Sequence, residues 1–445
     1  MNTPICDFVK NYADRKKLRL HMPGHKGQVM TGPEPYDITE IDGADSLFEA
    51  DGIIHLSEQN ASNLYGCDTY YSAEGSSLCI RAMLYLAVLY AKETNRKPII
   101  AAGRNAHKTF LNTAAVLDFD IMWLYGEGSY LSCNISAQKL ESCLTSAKEK
   151  PVAVYITSPD YLGNIQDIQT LADVCRKNDV LLLVDNAHGA YLRFFENSAH
   201  PIDLGAHMCC DSAHKTLPVL TGGAYLHISP DAPGFFAPQA KNALALFGST
   251  SPSYLIMQSL DNANKYLSDG YSQKLTDFAV NVHEMKKRLR ASGYSLVGNE
   301  PLKLTIATGF VGYKGTDFAT EMQNRNIICE FADPDYIVFM LTPEIGVEGI
   351  IQLEDAIKSI PVKTPLIPHT PALPLPQKAM SPKEAVFSPK EELPASECLG
   401  RVLASPGVSC PPAVPIVVCG EIIDEKAIKC FEYYGTEKCF VVKEN

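Results

Sequence analysis

Between about residues 76 and 230 the chain alternates helix-like and strand-like segments, and this alternation limits its fold more than any other feature. Ser77–Lys92, Asn105–Leu117, Ala137–Lys148 and Asp167–Lys177 read as helices. Each is followed by an apolar run: Pro98–Ala102, Asp120–Tyr125, Val152–Thr157 and Val180–Asp185. A further short run, His207–Cys210, ends in a polar cluster. Continuous aliphatic residues are what a strand covered on both faces needs. Strands separated by helices of about ten to fifteen residues imply βαβ units and a mostly parallel sheet with helices on both faces. Such α/β sheets take ligands at the carboxyl ends of their strands.

With 445 residues the chain is too long for one core. Residues 253–292 carry apolar side chains at helical spacing. A smaller α/β unit follows, with strands at Lys303–Ala307 and Tyr336–Leu341 and a helix near Thr316–Arg325. From Pro361 to Pro394 the prolines are spaced so as to block helix and sheet and favour extended chain. Ala413–Cys419 and Cys439–Lys443 are strand candidates in a terminal α+β unit. The expected division is an arm (1–20), a large domain (21–285), a small α/β domain (286–360), a proline-rich linker (361–394) and a C-terminal domain (395–445).

A net charge of -12 argues against nucleic acid or an anionic membrane as partner, since no basic field would attract phosphates. The longest apolar stretch, Ile80–Ala91, contains Arg81 and is too short to span a bilayer, and the charged N-terminus lacks a secretory signal's apolar region. Fourteen cysteines are spread along the chain without a Cys-x-x-Cys pair, several on apolar runs. Buried thiols in a cytoplasmic protein are the expectation.

The chemistry concentrates at the strand ends. Asp185 closes one strand, and Cys209-Cys-Asp-Ser-Ala-His-Lys-Thr-Leu217 delivers a single lysine, Lys215, just past another. A lysine amine able to form a Schiff base and a carboxylate able to pair with a pyridinium nitrogen are the minimal set for pyridoxal phosphate (PLP). Glu74-Gly75-Ser76-Ser77 lies where a loop enters a helix. Backbone N–H groups, the helix dipole and two hydroxyls there suit a phosphate, although a plain N-cap serine reads the same way. His107 follows a strand and is placed to stack on a cofactor ring or to start a helix. His188 and His214 carry the same ambiguity. Phe247-Gly-Ser-Thr-Ser-Pro-Ser253 is either a capping segment or a source of phosphate donors, Ser249 and Thr250, for a neighbouring subunit. His21 and His25 are separated by Pro23 and Gly24, which forbid the helix that would aim both at one metal. No metal is expected.

Taken in order, these segments resemble the Orn/Lys/Arg decarboxylase family of fold-type-I PLP enzymes. The likeness runs through His21-Met-Pro-Gly-His-Lys-Gly27, Glu74–Ser77, Arg104–Lys108, Thr157-Ser-Pro159, Asp185–Gly189, Ser212–Thr216, Ser249–Ser253 and Cys410–Glu421. It implies that Lys215 carries PLP, that Asp185 pairs with the ring nitrogen and that His107 stacks on the ring. Gly75, Ser76, Ser77, Ser212, His188 and His214 would surround the cofactor, with His214 or Lys215 returning a proton. Ser249 and Thr250 would reach the phosphate held by the other protomer of a homodimer. A start about twenty residues before the Pro-Gly-His segment implies a short form without the family's N-terminal wing domain. The implied activity is decarboxylation of arginine, lysine or ornithine in polyamine biosynthesis, leaning to arginine and agmatine. Asp45, Asp160 and Glu344 are candidate partners for a cationic side chain. Asn186, Ala106, Asp160, Gly222-Gly223 and Cys419 depart from the family pattern. Another fold-type-I reaction, such as transamination or aldol cleavage, and a PLP-fold protein acting only as a binding partner are the alternatives.

Overall fold

A computed structural model describes residues 1–126, 133–366, 370–405 and 415–444. In chain order its strands are β1 (Asp68–Ser72), β2 (Ile99–Gly103), β3 (Asp120–Leu124), β4 (Ala153–Thr157), β5 (Leu181–Asp185), β6 (Met208–Asp211) and β7 (Ala224–Ile228). They are followed by β8 (Ser295–Val297), β9 (Lys303–Ala307), β10 (Phe331–Ala332), β11 (Tyr336–Met340), β12 (Lys390–Pro394) and β13 (Lys438–Val442). The chain divides into two units, Met1–Glu93 with Ile168–Thr276, and Thr94–Asp167 with Asp277–Asn445.

In the first unit the strand order is β1–β7–β6–β5. β5 and β6 are parallel, with Asp185 opposite Cys210, so both deliver their carboxyl ends to the same edge. β7 runs antiparallel to β6 and to β1, so the sheet is mixed at this end, within the expectation of a mostly parallel one. The reason is local. β7 follows the lysine segment after a short turn, without the helical crossover that a parallel neighbour requires. Every residue of β5 is buried, as its unbroken aliphatic run demands. The helix Ser76–Glu93 is buried on nearly all sides, while Ile168–Lys177 buries only Ile168, Leu171, Ala172 and Cys175, one stripe at helical spacing. The stretch expected to be helical over 253–292 is two helices, Tyr254–Ser268 and Tyr271–Ala291. Between them Gly270 takes φ +73°, a left-handed conformation that ends the first helix.

In the second unit β4, β2 and β3 lie side by side and parallel. A separate antiparallel sheet, β10–β11–β9–β8, carries the helices Gly315–Gln323 and Gly346–Ser359. The terminal part pairs β12 with β13 around a core that includes Cys398, Leu403, Ile416, Ile423, Phe431 and Val441. Within the proline-rich stretch a helix, Pro382–Phe387, and β12 both form. Pro382 occupies the first helical turn, where a missing N–H costs nothing, and Ser381 and Glu384 complete a reciprocal cap. The expected strand Ala413–Cys419 lies partly outside the described residues, and Pro415–Cys419 is turn and isolated bridge. The described cysteines are free thiols, most of them buried. No described helix is long and apolar enough to cross a membrane.

Candidate active site

The edge shared by β5 and β6 gathers most of the expected groups of the first unit. Asp185, the last residue of β5, is buried, and its Oδ1 accepts the Ala187 N–H at 3.2 Å and the Cys210 thiol at 3.7 Å. β6 passes through Ser212 into a single helical turn, Ala213–Thr216, closed by Lys215 N–H to the Ser212 carbonyl at 2.9 Å. That turn presents Lys215, whose Nζ lies 3.3 Å from His188 Nε2. His214 uses its Nδ1 to reach the Gly223 carbonyl at 3.0 Å, and its backbone N–H donates to the same oxygen at 3.1 Å. Nδ1 therefore carries a proton toward that carbonyl, which leaves Nε2 as the ring nitrogen not used in this bond.

The helix Ser76–Glu93 begins beside this turn. The Ser212 hydroxyl donates to Ser76 Oγ at 2.8 Å, which ties the lysine segment to the helix N-terminus. Gly75 has φ +72°, and its N–H donates to the Gly222 carbonyl at 2.7 Å. A Cβ on Gly75 would meet nothing closer than 4.0 Å, so open space faces the helix start. Gly222 is constrained in the opposite sense: φ is +102° and a Cβ would stand 2.9 Å from the Ala73 carbonyl. The glycine pair that departs from the family pattern thus lets the 217–224 turn press against the 73–75 loop. Hydroxyls and an open loop at the start of a long helix suit a phosphate, and a lysine and a carboxylate on neighbouring parallel strand ends suit a pyridine aldehyde. Thr216 Oγ1, buried next to Lys215, has no hydrogen-bond partner among the described residues, which leaves a further polar group at the site. The donor set fits PLP.

Beneath the same edge lies a polar cluster that the sequence reading missed. Asp211 is fully buried and accepts three side-chain donors: His200 Nε2 at 3.1 Å and His227 Nε2 at 3.2 Å on Oδ2, and Asn186 Nδ2 at 2.6 Å on Oδ1. Burial opposes ionisation of Asp211, but the two imidazoles outweigh it and hold the carboxyl well below the usual range. Burial in turn pushes the His227 imidazole down. Cys209 Sγ approaches His200 Nε2 at 3.9 Å, and burial first, then the Asp211 charge, push its thiol up. His200, Cys209 and Asp211 bring ligand-type atoms within 4.8 Å of one another. The contacts to Asp211 Oδ2 are hydrogen-bond distances, and they account for its burial without a cation. The available signal was a polar residue on each of two apolar strands, Asp211 and His227, on neighbouring antiparallel partners.

Other expected residues have different surroundings. Asp45 is buried, and its carboxylate accepts the N–H groups of Asp51, Gly52, Ile54 and His55 at 2.8–3.3 Å, capping the helix Ile53–Tyr65. Ser249 and Thr250 are exposed, with Ser249 N–H bonded to Glu74 Oε1 at 2.6 Å, and Ser253 caps the next helix through the Ile256 N–H. In the second unit His107 is the N-cap of the helix Lys108–Leu117, its Nδ1 accepting the Thr109 N–H at 3.3 Å. Asp160 is fully buried, its carboxylate accepts the Asn164 backbone and side-chain N–H groups at 2.8 Å, and burial pushes its carboxyl up. Glu344 is exposed in the turn Pro343–Ile345. Arg104, three residues before His107, makes a buried two-point contact with Glu421 at 2.7 and 2.8 Å and covers the Trp123 ring. The sequence reading assigned no role to that pair.

Residues 3–299 match the family model described as "Orn/Lys/Arg decarboxylase, major domain". The chain belongs to the Orn/Lys/Arg decarboxylase family. It is 27% identical over 466 residues to an arginine decarboxylase of Halalkalibacterium halodurans, covering 95% of this chain and 91% of the relative. To an arginine decarboxylase of Bacillus subtilis it is 27% identical over 469 residues, covering 96% and 92%. Among solved structures, the lysine decarboxylase of Francisella novicida superposes with a TM-score of 0.80 at 16% identity, covering 99% of this chain and 81% of that one. The constitutive lysine decarboxylase of E. coli gives 0.78 at 17% identity, covering 99% and 82%. These likenesses establish the α/β fold of the fold-type-I PLP superfamily and homology to decarboxylases of basic amino acids. The buried His/Cys/Asp cluster at the base of the lysine turn is consistent with a PLP-binding site in this fold family.

Proposed function

We propose that this family member is a PLP-dependent decarboxylase of a basic amino acid, with arginine, converted to agmatine, as the leading substrate. The observation that carries the reading is the strand edge where Lys215 follows β6, Asp185 ends the parallel β5, and Ser212 joins Ser76 at a helix start. Bound PLP supplies a conjugated ring that takes up the electron pair left when the α-carboxylate departs as CO2. Lys215 would provide the amine that holds the cofactor. Asp185, a carboxylate kept from water, holds a proton at the pyridine nitrogen. Ser76, Ser77 and Ser212, with the helix N-terminus and Gly75, hold the phosphate. The family resemblance implies that His107 would face the cofactor ring, and His188 contacts the lysine amine. His214, with Nε2 as its open nitrogen, or Lys215 returns the proton to Cα. Ser249 and Thr250, exposed on their own protomer, reach the phosphate of a second copy in a homodimer. The preference for arginine rests on the names of the curated relatives, several of which are arginine decarboxylases.

The test is reconstitution with PLP, a scan for a visible absorption band, and assay of CO2 release from arginine, lysine and ornithine. Release from arginine at a kcat/KM at least about tenfold above the other two is the expected result. A stable PLP band without CO2 release from any of the three would replace this reading with another PLP reaction or a binding role.

A further inference from the structure

The Asp211 cluster joins the two strand ends that carry the cofactor groups. Backbone pairing aligns β5 with β6 as far as Asp185 opposite Cys210, and one more ladder bond runs from Asn186 N–H to the Cys210 carbonyl at 3.0 Å. Beyond that point the two ends are joined by the 2.6 Å bond from Asn186 Nδ2 to Asp211 Oδ1, and further out by the 3.3 Å contact between His188 Nε2 and Lys215 Nζ. Asn186 directly follows Asp185, and Asp211 directly precedes Ser212 and the Lys215 turn. The other carboxylate oxygen is clamped from two further directions, by His200 and by His227 of β7. All four side chains are buried. Gly189 makes room for the link: a Cβ there would stand 2.1 Å from Asn186 Oδ1, so a glycine at 189 is what lets the Asn186 amide take this orientation. We propose that Asp211, through its bond to Asn186, is a positioning residue that fixes the Asp185 carboxylate relative to the Lys215 turn. This rests on the assignment of Asp185 and Lys215 as cofactor groups and adds a role for Asp211 that the sequence reading did not assign.

Hydrogen-bond chemistry separates a link from a charge. Asn at 211 can still accept from Asn186 with its oxygen. Its amide can donate to Nε2 of both histidines once these take the other tautomer; His227 Nδ1 then donates to Thr69 Oγ1 at 2.9 Å, and His200 Nδ1, buried and without a partner among the described residues, meets no competing donor. Ala at 211 cannot do this.

The experiment compares Asp211→Ala, Asp211→Asn and Asn186→Ala with wild type. Hydrogen exchange in the cofactor-free protein is read alongside the PLP band, kcat and KM of the loaded protein. Asp211→Ala and Asn186→Ala should each speed exchange at both 185–190 and 212–217. They should also move the band and lower kcat by roughly 100-fold with KM within about threefold, since misplaced groups slow chemistry more than binding. Asp211→Asn should restore exchange and return kcat to within about fivefold of wild type. Asn186→Ala leaves the carboxylate and both histidines in place, so it reports even if Asp211→Ala fails to fold. Unchanged exchange and kcat in Asn186→Ala, or an Asp211→Asn as impaired as Asp211→Ala, would overturn the proposal. A merely structural role would lower Tm while leaving the band and kcat of the folded protein intact, and that result would overturn it too. A wild type that neither binds PLP nor releases CO2 would instead bring down the functional reading, while exchange would still decide whether the strand ends are coupled.

Discussion

Two substitutions probe the cofactor assignment directly. Lys215→Ala should abolish CO2 release and the lysine adduct fixed by borohydride, because the turn Ala213–Thr216 presents one primary amine at the strand edge. Retained, reducible PLP in that variant would move the cofactor lysine elsewhere. Asp185→Asn should keep the fold, since the amide oxygen still accepts the Ala187 N–H. A neutral amide cannot hold a proton at a pyridine nitrogen, so kcat should fall at least about 100-fold, a barrier increase of roughly 2.7 kcal/mol. A kcat within about tenfold of wild type would contradict that role. Asp45 and Asp160 teach the converse lesson. Both match the charge a cationic substrate needs, yet their carboxylates serve backbone amides in their own loops. An acidic residue name carries no information about which donors have already taken its oxygens.

At the scale of elements, the βαβ alternation was legible because apolar runs and amphipathic stripes have distinct periods. β9 matches its expected bounds, and β2 to β6 fall within one residue of theirs at each end. β1 and β7 escaped, the latter because it follows β6 without the helical crossover of a parallel strand. Tyr70, Tyr71 and Tyr225 also broke the aliphatic signature that marks the parallel strands. The Asp211 cluster escaped for a different reason: its members come from residues 186, 200, 211 and 227, and only the pairing of β5, β6 and β7 brings them together. The turn between β10 and β11 offers a test at this scale. Asp333 is buried there; Oδ1 accepts the Asp335 and Tyr336 N–H groups at 2.8 and 2.6 Å, and Oδ2 has no partner among the described residues. Burial pushes its carboxyl from 3.8 up to about 7. The folded chain therefore keeps a proton that the unfolded chain releases at lower pH. Its contribution to stability is complete below about pH 3.8 and is lost as pH rises towards about 7. Asn at 333 accepts both amides without a charge. Asp333→Asn should raise Tm at about pH 8 and flatten its dependence between about pH 5 and about pH 8. A curve that overlays wild type would mean that Asp333 is already ionised at no cost.

For the whole molecule the decisive question is whether one chain completes a site. Ser249 and Thr250 are exposed, and the cap of the following helix is supplied by Ser253, so the helix has no need of either hydroxyl. Ser249 Oγ accepts the Ser251 N–H at 3.1 Å, which leaves its O–H, with the Thr250 hydroxyl, to face a second copy and makes a homodimer with shared sites the arrangement to test. Lys215→Ala dimers lack the cofactor amine. Dimers of the Ser249→Ala, Thr250→Ala double variant keep the amine but lack the donated hydroxyls, and both should turn over poorly. In a mixed dimer, one site pairs an intact Lys215 with intact hydroxyls from its neighbour, and the other site lacks both. Random reassociation makes about half the dimers mixed, each with one working site, so about a quarter of wild-type kcat per chain should return. The recovery must follow subunit exchange in time, measured by native mass spectrometry on differently tagged chains. Full exchange with no recovered activity, or a monomer as active as the dimer, would place the whole site within one chain and leave the 249–253 turn as a helix cap alone.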